Sequence, residues 1–451
     1  MAKRLFGTDG IRGIPGTYPL DDKTLNLVGL ALGQHLRSTG SSGVSRPRVL
    51  IGRDTRESGP HIAELIAHGL AAAGAEPDFA GVLTTPGVAW LVKREGFSAG
   101  VVISASHNPY HDNGVKLISS SGMKLPDAVE AEVEEFILSA KSPAAPGRLS
   151  RLEVDAKLHD DYLAGLREGV LLGAKFAGMK FVIDCGNGAA SKLAPELIRS
   201  LGADAIALNC APDGRNINAD CGSLHPEAMQ KRVVETGAAL GVAFDGDADR
   251  AIFASGSGKL VNGDGVLLVA GRYMKSAGLL RGNVIVGTTM ANLGLERALE
   301  ASGLNLVRTD VGDRYVLEEM LRIGANLGGE QSGHILFLDD ATTGDGMLTM
   351  VKMVSIVSIA GPLDALAADL KVFPQQIVNV RVQSKPPLNS LPGVAHLLEE
   401  AQRALGKSGR VNLRYSGTEP LARVMVEAEC DEDVRRWTEA LASALRSSIG
   451  L

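Results

Sequence analysis

The chain has 451 residues, 45% hydrophobic and 22% charged, a balance too apolar for a disordered polymer and a length beyond what one hydrophobic core organises. A formal charge of -6 without a long basic run excludes an electrostatic footprint for nucleic acid or an anionic membrane, and no stretch approaches the ~20 apolar residues that span a bilayer. With 54 glycines and only 4% aromatic residues, small-ligand loops are favoured over aromatic platforms, and a cytoplasmic protein of several domains is expected.

From the N-terminus, Gly7-Thr8-Asp9-Gly10-Ile11-Arg12-Gly13 sets one guanidinium among glycines, a composition suited to an anion; it lacks the Gly-Lys-Ser/Thr of a Walker loop, so ATP binding is not supported. Ser38 to Ser45 reads as a solvated connection. Three apolar runs enter small polar turns in the manner of βα units: Val49-Leu50-Ile51 into Gly52-Arg53-Asp54, Phe181-Val182-Ile183 into Asp184 to Gly188, and Val284-Ile285-Val286 into Gly287-Thr288-Thr289. Their recurrence at intervals of roughly a hundred residues predicts three related α/β domains. Pro-rich or small-residue stretches at Lys141 to Gly147 and Phe373-Pro374, with a weaker signal at Ser255-Gly256-Ser257-Gly258, divide the chain. The expected domains are 1–150, 151–254, 255–370 and 371–451, the last a smaller α+β unit heralded by the alternation of Ile377, Val378, Val380 and Val382. The four cysteines include no Cys-x-x-Cys pair and read as reduced and structural.

Four constellations carry chemistry. Val101-Val102-Ile103 empties into Ser104-Ala105-Ser106-His107-Asn108-Pro109, where Pro109 bars ladder pairing and leaves Ser106 at the exposed end of a strand. Its hydroxyl is a candidate nucleophile toward phosphorus, but a turn serine capping its own backbone explains the local composition better. Lys116, a few residues on, is either a neutraliser of transferring phosphate or a surface lysine. The buried run Leu240 to Phe244 leads into Asp245-Gly246-Asp247-Ala248-Asp249-Arg250, whose three alternating carboxylates favour an oxygen-preferring cation such as Mg²⁺ over a solvated acidic turn. An EF-hand is excluded, because its sixth position would be Arg250 and its twelfth Gly256. Gly328-Gly329-Glu330-Gln331-Ser332-Gly333-His334 suits a hydroxyl-rich ligand, with His334 taken singly more typical of a structural residue. Arg414-Tyr415-Ser416-Gly417-Thr418-Glu419-Pro420 with Arg423 has the inventory of a phosphate clamp, against the plainer reading of a β-turn.

Taken together and in this order, Ser104 to Pro109, Asp245 to Arg250, Gly329 to His334 and Arg414 to Pro420 resemble the four signatures of the α-D-phosphohexomutase superfamily, one per domain, over essentially the whole chain. Within it, Phe6 to Gly13, Gln331 and Val311-Gly312-Asp313-Arg314-Tyr315-Val316 are similar to the branch that handles amino sugars. The resemblance implies four domains around a central cleft, three related mixed α/β domains followed by the α+β domain. It implies a phosphorylated Ser106 that exchanges phosphate between glucosamine 6-phosphate and glucosamine 1-phosphate through a glucosamine (or glucose) 1,6-bisphosphate, supplying UDP-N-acetylglucosamine for the cell wall. Asp245, Asp247 and Asp249, with Ser106, match the ligands of one Mg²⁺. Arg250, Gly312, Asp313, Glu330, Ser332, Arg414, Ser416, Gly417, Thr418 and Arg423 match substrate contacts. Arg12, Lys116 and His334 match positions proposed for proton transfer, and which one acts as base stays open. Partners are confined to the phosphosugar and a second copy of the chain as a candidate homodimer. A phosphomannomutase or phosphoglucomutase, an aspartyl-nucleophile phosphatase built on Asp245, and a non-catalytic phosphosugar binder are the rival readings. One departure is Ala248, where many members carry Gly; the metal turn is expected to tolerate the methyl unless φ there must be positive.

Overall fold

The computed structural model describes residues 5–7, 9–39, 46–140, 152–416 and 420–451. The stretch Lys141 to Gly147, Gly417 and Thr418 lie outside them, as does most of the Ser38 to Ser45 connection. Ser38 and Thr39 are not loop residues: they close the helix Asp22–Thr39, where both hydroxyls donate to the His35 carbonyl at 2.8 and 2.9 Å. A hydroxyl that returns to the preceding turn satisfies a carbonyl the helix end leaves open, so local composition misplaced this boundary.

The first sheet holds β1 (Ile11–Gly13), β2 (Arg48–Arg53), β3 (Glu76–Val82), β4 (Ala99–Ile103) and β5 (Asn113–Ser119) in the order β1-β5-β4-β2-β3. The second holds β6 (Lys180–Asp184), β7 (Asp204–Leu208), β8 (Leu240–Phe244), β9 (Ala251–Ser255) and β10 (Leu260–Val261) in the order β10-β9-β8-β6-β7. In the third, β11 (Val284–Thr288), β12 (Asn305–Thr309), β13 (Leu327–Gly329) and β14 (Ile335–Phe337) run β12-β11-β13-β14.

These are one pattern three times: a first strand flanked by two parallel neighbours, the second of which turns back through a loop into an antiparallel strand. The middle strands β4 and β8 are buried along their whole length, which is why they read as unbroken apolar runs. The turn Ser255 to Gly258 joins the paired strands β9 and β10, so the second sheet continues to Val261.

One apolar core passes continuously from the first sheet to the third, taking in Leu50, Val102, Phe244 and Phe337. The helix Gly346–Ala360, buried from Gly346 through Val357, lies within it, as does the face of Lys157–Glu168 that carries Leu158, Tyr162 and Leu166. The C-terminal sheet, β15 (Gln375–Arg381), β16 (Gly409–Tyr415) and β17 (Leu421–Ala428) in the order β15-β17-β16, is antiparallel and has a separate core around Val424, Val426 and Trp437. The first three sheets are therefore fused by packing, whereas the fourth is attached. All four cysteines are free, and among the described residues no helix is long and apolar enough to cross a membrane.

Candidate active site

In each of the first three sheets, the loop between the third parallel strand and its antiparallel partner bears one of the sequence constellations: Ser104 to Pro109 after β4, Asp245 to Arg250 after β8, Glu330 to His334 after β13. Each loop contains one residue in the left-handed region, Ser106 (φ 51°), Ala248 (φ 55°) and Gly333 (φ 93°). That conformation reverses the chain sharply and pushes the flanking side chains out of the strand end.

Ser106 is buried, and its hydroxyl donates to Asp245 Oδ2 at 2.6 Å, with His107 Nδ1 3.3 Å away. The capping role open to Ser106 belongs to Ser104, whose Oγ accepts the Ser106 N–H at 2.9 Å and donates to Asp54 Oδ2 at 2.6 Å. The loop is held from behind by Arg56, which is fully buried. Its Nε donates to Asp54 Oδ2 at 2.9 Å, and its terminal nitrogens donate to the carbonyls of Ser106 (3.0 Å), Asn108 (2.8 Å) and Pro109. Asn218, from the second domain, donates to the Ser106 and Asn108 carbonyls at 3.0 and 3.2 Å. Gly246 makes this approach possible, since a Cβ there would lie 2.5 Å from the Ser106 carbonyl oxygen.

Asp245, Asp247 and Asp249 are all buried, with one carboxylate oxygen of each within 4.8 Å of the others. Burial, then the charges of Asp249 and Asp247, push the Asp245 carboxyl well above the usual range. Oδ1 of Asp247 and Oδ1 of Asp249 are buried without a hydrogen-bond partner among the described residues. Crowded carboxylates with unused lone pairs fit a hard divalent cation. Asp247 Oδ2 is engaged by Thr85 Oγ1 at 2.6 Å and Lys116 Nζ at 3.0 Å. Lys116 is buried, and also reaches Asp9 Oδ2 at 3.0 Å. Burial opposes its charge, but Asp247 and Asp9 outweigh it and hold the ammonium well above its ordinary pKa, so the surface reading fails. Asp9 also pairs with Arg12 (2.6 Å) and with Lys124 (2.8 Å), which bridges to Asp313 Oδ2 at 2.8 Å.

Arg250 donates its amide to Asp245 Oδ1 at 3.2 Å and lies 3.4 Å from His107 Nδ1. Burial and the nearby Arg250 and Arg12 lower the His107 pKa, favouring a neutral ring. His334 Nδ1 stands 3.7 Å from Asp249 Oδ2, while Nε2 accepts the Gly344 N–H at 3.2 Å. Burial disfavours its charge, yet Asp249 raises its pKa overall. In the neutral ring Nε2 accepts the backbone donor and the proton sits on Nδ1 toward Asp249, and in the charged ring both nitrogens are protonated, so neither form has a free nitrogen to remove a proton. Glu330 Oε1 accepts the Gly312 N–H at 3.1 Å, and Ser332 Oγ approaches Glu330 Oε2 at 3.5 Å, so Gly312, Asp313, Glu330 and Ser332 form one cluster. On the C-terminal sheet, Arg414 and Arg423 face each other directly across β16 and β17, and the Ser416 N–H donates to the Leu421 carbonyl at 2.8 Å.

The departure at Ala248 meets the condition set for it, since φ there is positive. The turn still closes, through Ala248 N–H to the Asp245 carbonyl (3.1 Å) and Gly346 N–H to the Ala248 carbonyl (3.0 Å). A left-handed L-residue costs about 1–2 kcal/mol. Replacing it with Gly sacrifices a buried methyl of about 0.8 kcal/mol and adds about 0.5–1 kcal/mol of chain entropy to be lost. Ala248→Gly is therefore expected to leave stability within about 1 kcal/mol of the parent in denaturant unfolding, whereas the β-branched Ala248→Val should be clearly destabilised.

Asp9, Asp54, Arg56, Thr85, His107, Lys124 and Asn218 complete the site and were not singled out in the sequence. Asp9, Asp54 and His107 lie within quoted stretches; nothing local marks Arg56, Thr85, Lys124 or Asn218.

Residues 3–144, 160–258 and 262–373 match the phosphoglucomutase/phosphomannomutase α/β/α domains I, II and III, and residues 377–444 match its C-terminal domain. Fold and site thus define a four-domain protein of the phosphoglucomutase/phosphomannomutase class. The chain is 54% identical to a phosphoglucosamine mutase of Solibacter usitatus, covering all of both chains, and 49% identical to one of Koribacter versatilis, covering all of this chain and 98% of the other. It belongs to the phosphoglucosamine mutase family. A crystal structure of a phosphoglucomutase/phosphomannomutase family protein from Burkholderia thailandensis superposes with a TM-score of 0.79 at 24% identity, covering 99% of each chain, a likeness of fold.

Proposed function

We propose that the chain interconverts glucosamine 6-phosphate and glucosamine 1-phosphate, with Ser106 as a reversible phosphate carrier. The observation that carries the proposal is the 2.6 Å bond between Ser106 and Asp245, which joins the loop of the first sheet to the carboxylate cluster of the second. Asp245, Asp247 and Asp249, with the oxygens of a phosphorylated Ser106, would hold Mg²⁺, which when bound supplies positive charge to the transferring phosphoryl group.

In the forward half-reaction the bond from phosphorus to Ser106 Oγ breaks as a bond forms to the free sugar oxygen. The proton of that sugar hydroxyl departs, and Ser106 Oγ regains one. The resulting 1,6-bisphosphate turns end for end, and its other phosphate returns to Ser106. Lys116, anchored by two carboxylates, and Arg12 supply fixed positive charge beside the loop, a role suited to charge stabilisation. The engaged ring of His334 speaks against it as base and for a role in orienting Asp249.

Glu330, Ser332, Gly312 and Asp313 are assigned to the sugar. Arg414, Ser416 and Arg423 are assigned with Gly417 and Thr418 to the phosphate not being transferred. Arg414 and Arg423 stand directly opposite on neighbouring strands, which brings two guanidinium-bearing side chains to one place and supports them in this role.

The test is to measure turnover in parallel on glucosamine, glucose and mannose 6-phosphates with Mg²⁺ and a bisphosphate primer, before and after chelation. The expected result is a clear preference for the amino sugar that is lost with the metal and restored by Mg²⁺. Equal or better turnover of mannose or glucose phosphate would shift the reading to the sister mutases, and phosphate found on Asp245 in place of Ser106 by peptide mass spectrometry would refute the carrier.

A further inference from the structure

Two successive amides open the helix Leu293–Ala301, and each donates to a buried carboxylate from a different direction. The Asn292 N–H binds Asp264 Oδ2 at 2.9 Å, within the third domain, and the Leu293 N–H binds Glu427 Oε1 at 3.0 Å, from the C-terminal end of β17 in the C-terminal sheet. Glu427 is fully buried and accepts Arg410 Nε, while Arg410 also donates to the carbonyls of Thr289 (3.0 Å) and Ala291 (2.6 Å). The Asn292 side chain grips the connection between the domains at both ends of one residue, donating to the Phe373 carbonyl at 3.0 Å and accepting its N–H at 2.9 Å. The attachment of the fourth domain therefore converges on one helix start.

The same Asp264 oxygen accepts Gln331 Nε2 at 3.0 Å, and Gly263, the residue before it, donates its N–H to the Gln331 carbonyl at 3.0 Å. The contact is close enough that a Cβ on Gly263 would sit 1.9 Å from the Glu330 carbonyl oxygen. Gln331 stands between Glu330 and Ser332, yet its amide is committed to Asp264 and its backbone to the start of the helix Gly263–Ser276. Oδ1 of Asp264 has no hydrogen-bond partner among the described residues, so the carboxylate's bonding is concentrated on these two loops. A carboxylate kept in the interior with half its capacity unused is a costly arrangement.

We propose that Asp264 is a positioning residue for the Glu330–Ser332 loop, and that through Asn292 it makes the order of that loop depend on the seating of the C-terminal domain at Glu427. Gln331 is then the anchor of the loop, and Glu330 and Ser332 are the side chains it presents. The inference rests on the assignment of that loop to the sugar only for its meaning in turnover; the linkage itself is structural.

Amide hydrogen exchange of the full-length chain reads it without activity. Asp264→Ala is expected to speed exchange in the peptide over residues 329–337, where Glu330 N–H and Gly333 N–H are hydrogen-bonded, by about tenfold, and Glu427→Gln to speed the same peptide by about threefold or more although it lies in another domain. Gln331→Leu breaks the Gln331–Asp264 bond and Arg410→Lys removes the guanidinium that seats Glu427, and these serve if either first variant fails to fold. Native exchange of residues 329–337 in the Asp264 or Gln331 variant would overturn the positioning role. Acceleration confined to β17 and the start of Leu293–Ala301 in the Glu427 or Arg410 variant would overturn the dependence between domains. Since no turnover is measured, an error in the assigned reaction would leave these outcomes unchanged.

Discussion

Ser106→Ala is expected to lower mutase turnover by about 10⁴-fold or more, because it removes the oxygen proposed to carry the phosphate and among the described residues no other hydroxyl stands in its place. Ser104 is the nearest alternative, but its Oγ already accepts one hydrogen bond and donates another to Asp54. The substitution should be quiet structurally. Alanine and serine meet the same penalty at φ 51°, and the carbonyl grips of Arg56 and Asn218 act on the backbone, which the change leaves in place. Initial rates with a saturating bisphosphate primer, alongside denaturant unfolding of the same sample, make the check. Near-normal turnover in a folded Ser106→Ala chain would end the carrier assignment, while unfolding at lower denaturant would mean that the hydroxyl has a structural part as well.

Arg56→Met is the substitution with the largest expected effect on stability, about 3–5 kcal/mol, from stranding buried charge. Arg56 and Asp54 are both excluded from solvent. Burial already pushes the Asp54 carboxyl upward against the pull of Arg56, so removing the guanidinium leaves only the hydrogen bonds from Ser104 Oγ and the backbone amide of residue 56 to offset that penalty. Methionine fills much of the volume but cannot donate, and the Pro109 carbonyl loses its Arg56 partner while those of Ser106 and Asn108 keep only Asn218. The first unfolding transition in guanidinium should move to markedly lower concentration, with turnover falling in the surviving folded fraction as the Ser106 loop relaxes. A surface change such as Arg322→Ala, which breaks only the exposed pair with Glu319, should not move it measurably. An unchanged transition in Arg56→Met would show that Asn218 and the loop's own turns suffice.

Much of this site was readable before any coordinates, and the reason lies in the sheet architecture. A central parallel strand is buried on both faces, so Val101 to Ile103 and Leu240 to Phe244 stand out as apolar runs, and the polar residues that follow must lie at a strand end. The order of the four constellations then carried the family. What could not be read is contact across the fold. Arg56 holds a carbonyl 50 residues away and Asn218 one 112 residues away, and neither has a local pattern that sets it apart from other polar turn residues. Ser104 and Ser106 show the limit most plainly. Two serines in one loop divide capping and display between them, and only the backbone turn at Ser106, with Asp54 the partner of Ser104 and Asp245 that of Ser106, decides which does which. The role of Gln331 was hidden similarly, because its partner Asp264 lies 67 residues earlier.

The recurrence of one hairpin loop in three sheets has a consequence for how such a chain can diversify. Each loop hangs from strands of one shared pattern, and the loops meet one another at Ser106 with Asp245 and at Asp249 with His334. The molecule presents three sockets of one pattern fitted with different tools: on the proposed assignment one would bear the group that is passed, one the charge that steadies it and one the grip on the cargo. Exchange of the third tool for a different cargo would therefore have to preserve the contact of His334 with Asp249, so the three loops can diverge in what they carry only within the limits set by where they touch.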